Sequence, residues 1–282
     1  SGTLQKWQPV TLDFDGPDAK ASDSGPNPFL DYRLTVTFVA PSGKTSVVPG
    51  FFAGDGASGL SGRVWRALFS PDEIGPWSYV ASFRAGDAIA VKLDPAAGTP
   101  AAFDGASGVF KIGAIHEDTP DFYRWGRLEY VGAHYLKFRD GGYWLKGGTD
   151  SPEDFLGYDG FVNTEAGKFG GHRYASHGQD WRDGDPDWGG GKGKNIIGAL
   201  NYLAASDVNS LYVLTMNIGG DGKNVHPFLG PINGNGSSEN DDLHFDLAKL
   251  QQWETVFSHA QRRGLMLHFV LSEAEERNKR EL

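Results

Sequence analysis

Four carboxylate or amide side chains lie at or just after the ends of predicted buried strands: Asp150, Asn217, Asp221 and Glu273. Carboxylates in such positions can transfer protons or accept hydrogen bonds from hydroxyl groups. Each side chain could instead hold its own loop or stay solvated. Because Asp150 follows two glycines at the end of an apolar run, we predict that it contacts a ligand, and we predict the same for Asn217. Glu273 fits a ligand site and the solvated charged run after it equally well.

The segment HGQDWRDGDPDW, residues 177–188, has the highest density of such side chains. His177, Asp180 and Arg182 can bond hydroxyl groups or a carboxylate. Trp181 and Trp188 can stack on the apolar faces of sugar rings. The segment could also be a loop held together by its own tryptophan and aspartate contacts, and the residue types do not choose between the two interpretations.

The aspartates at positions 183, 185 and 187 alternate like the start of a calcium-binding loop. The glycine that such a loop needs at its sixth position is missing, and Lys194 stands where the closing glutamate would be. An EF-hand is therefore excluded, and we predict neither a metal site nor a cofactor. Ser151 and Ser272 have no adjacent base partner in the sequence, so a serine nucleophile is unsupported.

Composition narrows the class of protein. The 36 acidic and 26 basic residues give a net charge of −10, which disfavours binding to nucleic acid. There are no cysteines, so disulfides and thiolate metal sites are excluded. No apolar run approaches the roughly 18 residues of a membrane-spanning helix. The start Ser1-Gly2-Thr3 fits removal of a leader, and we expect a secreted or periplasmic protein.

The first hundred residues predict an antiparallel β-sandwich. Five stretches alternate apolar and polar residues, and turn-forming residues separate them. They cover residues 9–14, 32–40, 45–53, 62–70 and 75–83. We assign residues 1–91 to an Ig-like sandwich, with Trp65 and Trp77 in its core, and the Pro-, Ala- and Gly-rich residues 92–125 to a linker or crossing loop.

The remaining residues, 126–282, predict a parallel α/β domain. A hairpin turning at residues 140–142 leads into the first buried strand, which ends near Gly148. A helix with an apolar stripe, a strand over residues 210–218, a helix from Asp246 to about Arg263 and a strand over residues 265–271 follow. The order strand, helix, strand, helix, strand is typical of parallel βαβ units.

Two long loops follow strands of this parallel sheet: the first long loop, residues 149–194, and the second long loop, residues 219–245. Both must lie at the carboxyl edge of the sheet, where parallel α/β proteins build their sites. Glu153 and Asp154 are typical of first-turn charges in a short helix that begins at Ser151. We interpret His268 as a satisfied core residue and His259 as structural.

Several segments resemble bacterial glycoside hydrolase proteins in which a β-sandwich domain of unknown function precedes a (β/α)8 TIM barrel. WQPVTLDFDGP, NPFLDYRLTVTFVAPSGK, VPGFFAGDG and VWRALFSPDEIGPWSYVASF are similar to the sandwich. GRLEYVGAHYLKFRDGGYWLKGGTDSPEDFLGY, HGQDWRDGDPDW, GKGKNIIGALNYL, YVLTMNIGGDGKNVHPF and LQQWETVFSHAQRRGLMLHFVLSE are similar to the opening of the barrel. The resemblance implies an Ig-like sandwich followed by the first βαβαβ portion of a TIM barrel.

The resemblance also implies hydrolysis of a poly- or oligosaccharide by two carboxylates. A barrel needs eight strands and about 250 residues, whereas we count three strands here, so we expect an incomplete barrel domain. The catalytic carboxylate pair is then expected beyond Leu282. The expected partners are the saccharide substrate and either the remainder of the barrel or further copies of the chain. A non-catalytic carbohydrate-binding or structural module is the alternative, followed by a polysaccharide lyase.

Overall fold

The computed structural model describes residues 1–119, 121–149, 154–164, 171–216, 225–230 and 242–271. The chain divides into two compact units, one formed by residues 1–119 with 243–247 and the other by residues 120–242 with 248–282. The first unit is a β-sandwich. The second contains a three-stranded parallel sheet and two long helices.

The sandwich consists of two antiparallel sheets. One has the order β1 (Val10–Lys20), β5 (Ser61–Phe69), β4 (Phe51–Phe52). The other has the order β3 (Thr45–Pro49), β2 (Tyr32–Val39), β6 (Gly75–Ala85), β7 (Thr99–Pro100), and β8 (Ser107–Ile112) also pairs with β6. A 3₁₀ turn over Ile89–Val91 follows β6.

Aromatic side chains fill the space between the two sheets. Phe38 of β2 stacks on Phe69 of β5 with ring centroids 4.0 Å apart, and Trp65 of β5 meets Phe83 of β6 at 4.8 Å. Alternate residues of β2 are buried, as the period of two in its sequence requires. Trp65 and Trp77 are each 1% exposed, which confirms their predicted place in the core.

The predicted strand over residues 45–53 is two strands in different sheets. The chain leaves the larger sheet after β3 and enters the smaller one at β4, with Gly50 between them. A Cβ at Gly50 would lie 2.8 Å from the Arg66 carbonyl oxygen and closer still to the Leu34 side chain. Alternation cannot reveal this crossing, because the pattern of apolar residues continues through it.

Strand β1 is longer than its sequence pattern predicts. It continues through residues 16–20, which contain the turn-formers glycine and proline, and its register with β5 shifts between Asp15 and Ala19. Proline has no N–H to donate to a ladder, and a bulge accommodates it. The indole Nε1 of Trp65 donates to the Pro17 carbonyl oxygen at 3.3 Å and holds the bulge against the core.

Residues 92–125, which we predicted to be a linker or crossing loop, also contain strands. Strands β7 and β8 lie within this stretch, and both pair with β6. Two arginines that face each other across β2 and β6, Arg33 and Arg84, donate to the carbonyl oxygens of residue 92 and of residues 94–98. A segment with the composition of a flexible linker is thus ordered by hydrogen-bond donors from elsewhere in the sheet.

Replacing Arg33 and Arg84 together with alanine should release the loop at residues 92–98 with little loss of global stability. Hydrogen bonds this exposed contribute only about 0.5–1.5 kcal/mol each, so the expected effect is local opening. Elastase cleavage after Ala96 or Ala97, mapped by mass spectrometry, should accelerate. Arg63→Ala removes an exposed ion pair with Asp15 in the same unit and serves as the control. Equal cleavage of the double variant and the control would contradict the clamp.

The second unit begins with α1 (Asp121–Trp125) and a small antiparallel sheet. Strand β10 (Leu136–Phe138) lies between β9 (Leu128–Glu129) and β11 (Tyr143–Trp144). Leu136 pairs with Trp144, so the predicted reversal at residues 140–142 is confirmed.

The parallel sheet consists of β12 (Gly148–Thr149), β13 (Ser210–Leu214) and β14 (Met266–Val270), in that order. Helices α2 (Lys194–Ala205) and α3 (Leu247–Arg262) precede β13 and β14. Three residues of the predicted stripe on α2, Ile196, Ile197 and Leu200, are fully buried. They pack with Leu211 and Val213 of β13, which explains why the stripe and the apolar strand occur together.

Strand β14 was predicted to be buried, and it is not. Phe269 meets Phe257 of α3 at 5.0 Å but remains 42% exposed, and His268 is exposed. The interpretation of His268 as a core residue is therefore wrong. The physical reason is position, because within the described part of the chain no strand pairs with the far side of β14 and α3 covers only one of its faces.

Candidate functional site

Aromatic side chains of the first long loop form a layer beside the beginning of α2. Phe155, Tyr158 and Phe161 are buried in the core of the second unit, and Tyr174 packs against them. The Tyr158 hydroxyl donates to the Lys192 carbonyl oxygen, just before α2 begins. Because α2 starts where the chain has left the carboxyl end of β12, this layer lies at the carboxyl edge of the sheet.

Both tyrosines of this layer stay protonated. Burial, followed by the charges of Asp159 and Asp187, raises the pKa of Tyr158 to about 12. Burial, followed by the charge of Asp154, raises the pKa of Tyr174 further still. The Tyr174 hydroxyl donates to the Phe155 carbonyl oxygen at 3.2 Å. These phenols therefore hold the loop and are unsuited to act as bases near neutral pH.

Asp154 and His172 form a close pair on top of this layer. His172 Nε2 lies 2.7 Å from Asp154 Oδ1, and the side chains are 30% and 13% exposed. The imidazole also stacks on Tyr174 with ring centroids 5.1 Å apart. Asp154 was predicted to be a first-turn helix charge. Residues 154–156 instead form a turn, and the carboxylate holds a histidine.

The predicted candidates His177 and Asp180 are brought together on a 3₁₀ helix, Ala175–Asp180. His177 Nδ1 lies 3.0 Å from Asp180 Oδ2, and the His177 ring lies 4.8 Å from the half-exposed ring of Tyr202. Arg182 is exposed beside them.

Trp181 serves the loop itself. Its Nε1 donates to the Pro186 carbonyl oxygen at 3.1 Å, and Lys194 Nζ lies 4.0 Å from its ring centroid. Trp188 stacks on Phe161 and donates to the Gly160 carbonyl oxygen at 2.9 Å. The structure thus shows the contacts that the loop-holding interpretation requires, and substrate stacking stays a prediction.

A buried network ties this segment to both helices. Asn201 Nδ2 donates to Asp185 Oδ2 at 2.7 Å and to the Asp180 carbonyl oxygen at 2.9 Å, and His259 Nε2 donates to Asn201 Oδ1 at 2.9 Å. Burial opposes ionisation of Asp185, but hydrogen bonds from Asn201 and the Arg182 backbone hold its pKa below the usual value. The predicted structural role of His259 is confirmed.

This network is displaced from the carboxyl edge. Asn201 lies seven residues into α2, about 10 Å along the helix axis at ~1.5 Å per residue. Helix α2 runs back toward the amino end of β13, and His259 is likewise near the end of α3. His177 and Asp180 therefore lie beside the later turns of α2, and the structure does not bring them to the strand ends. In parallel α/β folds the amino-end side generally serves stability.

A second buried group joins the two long loops at the beginning of α3. Lys249 is fully buried, and its Nζ donates to the carbonyl oxygens of Asn163 at 3.1 Å and of His226 at 3.3 Å. His226 is also fully buried. Its Nδ1 accepts from the Phe228 N–H at 3.3 Å, so the ring proton is on Nε2, which has no acceptor in the described part of the chain.

The two buried histidines should make the protein less stable in mild acid. Burial, and then Lys249, lowers the pKa of His226 to about 3, and burial is the main cause that lowers the pKa of His259 to about 4. Both values lie below the unfolded value of 6.5, so the unfolded chain takes up protons first as the pH falls. The stability that these neutral histidines contribute is complete above pH 6.5 and is lost progressively as the pH falls below 6.5. We expect a loss of about 2 kcal/mol per histidine between pH 7 and pH 5.

Urea unfolding at the two pH values measures this effect. His226→Gln and His259→Gln should each reduce the difference between pH 7 and pH 5 by about 2 kcal/mol. Carboxylates with lowered pKa values act mainly below this window, whereas Glu254, whose pKa is raised by burial, changes stability in the opposite direction. The comparison of each variant with the unchanged protein therefore isolates the histidine. An unchanged pH dependence in both variants would contradict the assignment.

Four predicted site residues, Asp150, Asn217, Asp221 and Glu273, lie outside the described residues. Sequence reasoning missed the pair formed by Asp154 and His172, because its members lie 18 residues apart within the first long loop. It also missed Lys249, since a lysine in the first turn of a helix is ordinarily solvated. The one available signal was its position on the same helical face as Trp253, four residues later.

No group of three or more His, Asp or Glu side chains within the described ranges could hold a metal ion. No helix among these residues is long and apolar enough to cross a membrane.

The chain matches a known domain family over its first residues and resembles a solved structure in its fold. Residues 3–84 match a domain of unknown function, DUF5060. The structure is similar to the crystal structure of a protein from Bacteroides vulgatus named a "putative glycoside hydrolase", with a TM-score of 0.60 and 19% sequence identity. The similarity covers 98% of this chain but 42% of that protein's length. No curated protein matches the sequence. The chain therefore carries a DUF5060 match in its first unit and shares its fold, over both units, with part of a larger protein.

Proposed function

We propose that this chain is part of a glycoside hydrolase that cleaves a poly- or oligosaccharide. The observation that carries the proposal is the fold similarity over 98% of the chain to a protein named a "putative glycoside hydrolase". In this proposal the sandwich is Ig-like, and strands β12 to β14 with helices α2 and α3 are the first part of a (β/α)8 barrel. Since the chain spans 42% of that protein, the remaining strands would come from sequence after Leu282.

The substrate would bind at the carboxyl edge of the parallel sheet. Asp150, Asn217, Asp221 and Glu273 follow the three strands of this edge in sequence and are the proposed contacts. His177, Asp180, Trp181 and Arg182 would contact only a substrate long enough to extend over the outer surface of α2.

Cleavage would use two carboxyl groups on later strands. They would flank the glycosidic bond at about 5 Å for retention or about 6.5–9.5 Å for inversion of configuration, with an oxocarbenium-like transition state. The residues of this chain would orient the saccharide and would not themselves transfer the proton. A secreted or periplasmic location is part of the proposal, because polysaccharide substrates are extracellular.

Release of reducing ends from a panel of xylan, cellulose, pectin, agarose, carrageenan and alginate tests the proposal. We expect release from at least one polysaccharide by the protein that contains this chain. Binding without release would favour a non-catalytic carbohydrate-binding module. Products that absorb in the ultraviolet as unsaturated uronates would favour a lyase. Neither binding nor release with any member of the panel would count against all three.

A further inference from the structure

We propose that His172 is a substrate-contacting residue of the first long loop, and that Asp154 is the residue that positions it. The His172 Nδ1 atom would form a hydrogen bond with a hydroxyl group of the bound saccharide. The inference rests on the proposed function, and it adds a named contact at the carboxyl edge that the sequence pattern did not predict.

The imidazole is held on three sides. Its Nε2 donates to Asp154 at 2.7 Å, and its face stacks on Tyr174 with the ring planes 26° apart. Its backbone is also fixed, because the His172 N–H donates to the Gly157 carbonyl oxygen at 2.6 Å and its carbonyl oxygen accepts from the Asp159 N–H at 3.0 Å. Side chains that bind ligands with precision are commonly locked in this way by packing and supporting hydrogen bonds.

The remaining ring nitrogen is available. A carboxylate only accepts hydrogen bonds, so the proton shared with Asp154 resides on Nε2, and Nδ1 is the ring nitrogen left for a ligand. Among the described residues Nδ1 has no hydrogen-bond partner, and the side chain is 30% exposed. The ring is thus fixed within a partly exposed side chain, whereas His226 and His259 are buried.

The position suits a substrate contact better than that of the other histidine–aspartate pair. The ring rests on Tyr174, and the neighbouring Tyr158 hydroxyl donates to the Lys192 carbonyl oxygen just before α2 begins. His177 and Asp180 pack beside later turns of α2, away from this edge. The adjacent cation Arg173 is paired with Asp159 at 3.1 Å. Asp154 is therefore the partner of the imidazole and not of Arg173. The exposed ion pair of Arg173 and Asp159 provides a matched control in the same loop.

The test compares His172→Phe with the unchanged protein, using the oligosaccharide that corresponds to the polysaccharide cleaved best in the panel. Phenylalanine keeps a ring to stack on Tyr174 and removes both nitrogens. One neutral hydrogen bond of about 0.5–1.5 kcal/mol corresponds to a roughly 3–10-fold rise in Kd or KM with kcat little changed. Asp159→Ala, which breaks the neighbouring ion pair, should leave Kd within twofold.

The positioning role of Asp154 predicts a graded pattern. Asp154→Asn can still accept from Nε2 through its amide oxygen and should retain most of the affinity, whereas Asp154→Ala should lose as much as His172→Phe. The double variant should lose no more than either single variant, because both changes remove the same contact. Imidazole nitrogen shifts in NMR spectra should report the Nε2–H tautomer, and saccharide should perturb Nδ1 selectively.

Failure of this inference differs from failure of the proposed function. If the protein cleaves the saccharide and His172→Phe binds it with unchanged Kd while only the thermal midpoint falls, the pair is a structural latch and the inference is overturned alone. If the unchanged protein neither binds nor cleaves any saccharide of the panel, both fall together.

Discussion

Lys249→Ala is expected to destabilise the second unit by about 3–5 kcal/mol. The Lys249 amino group donates to carbonyl oxygens from both long loops, Asn163 in the first and His226 in the second. Removing it leaves one buried acceptor, the His226 carbonyl oxygen, and one part-buried acceptor, that of Asn163, without this donor, at up to about 1–3 kcal/mol each. It also opens a cavity where the aliphatic chain was. We also expect faster amide exchange at residues 162–164 and 225–228, since the donor that joins them is lost.

Lys249→Met separates the two contributions. Methionine fills a similar volume but cannot donate, so its cost should be that of the carbonyl oxygens alone, about half of the alanine effect. Lys192→Ala removes an exposed lysine from the first long loop and should change stability by less than about 0.5 kcal/mol. Urea unfolding measures all three. Equal stability of Lys249→Met and the unchanged protein would show that these hydrogen bonds contribute nothing.

Gly198→Ala is expected to destabilise the protein by about 2–3 kcal/mol, against the helix propensity of the two residues. Alanine is favoured over glycine in a helix by about 1 kcal/mol, and Gly198 is in the middle of α2. A Cβ at this position would lie 1.9 Å from the His177 carbonyl oxygen and 3.1 Å from the Trp181 backbone nitrogen. Because both atoms belong to the backbone, the 3₁₀ helix at Ala175–Asp180 would have to move away.

Movement of that segment would also stretch the hydrogen bonds from Asn201 to Asp180 and Asp185. Hydrogen–deuterium exchange should therefore accelerate over residues 175–185, together with the fall in stability. Gly142→Ala is the matched control, since a Cβ there meets nothing within 4 Å. A Gly198→Ala variant that is more stable than the unchanged protein, with unchanged exchange in this segment, would refute the close packing.

Much of the fold could be predicted because local periodicity reports which faces are buried. The apolar stripe of α2, the apolar run of β13 and the hairpin before β12 each carry their pattern within about a dozen residues. Where the prediction was wrong, the deciding partner is distant in sequence. The loop at residues 92–98 is ordered by Arg33 and Arg84, and β3 and β4 separate because Leu34 and Arg66 meet at Gly50.

The candidate site shows the same division. Residue types predicted polar loops after buried strands and aromatic, histidine and aspartate side chains within the first of them. Type and spacing could not show that Asp154 holds His172, or that His177 and Asp180 lie along α2, because both depend on how the first long loop folds back on itself. Four further candidates, including Asp150, stay predictions.

By itself the sequence determined that a β-rich region precedes an α/β region, since alternation and helical periodicity are local properties. It also determined the edge of the parallel sheet at which ligands are expected. Only the tertiary structure decided which polar groups are buried and paired. Lys249, an ordinary surface residue by type, became a buried donor because two loops place carbonyl oxygens around it. Hydrogen-bond partners are chosen in three dimensions, and a lysine or histidine carries no local signal of the partner it will meet.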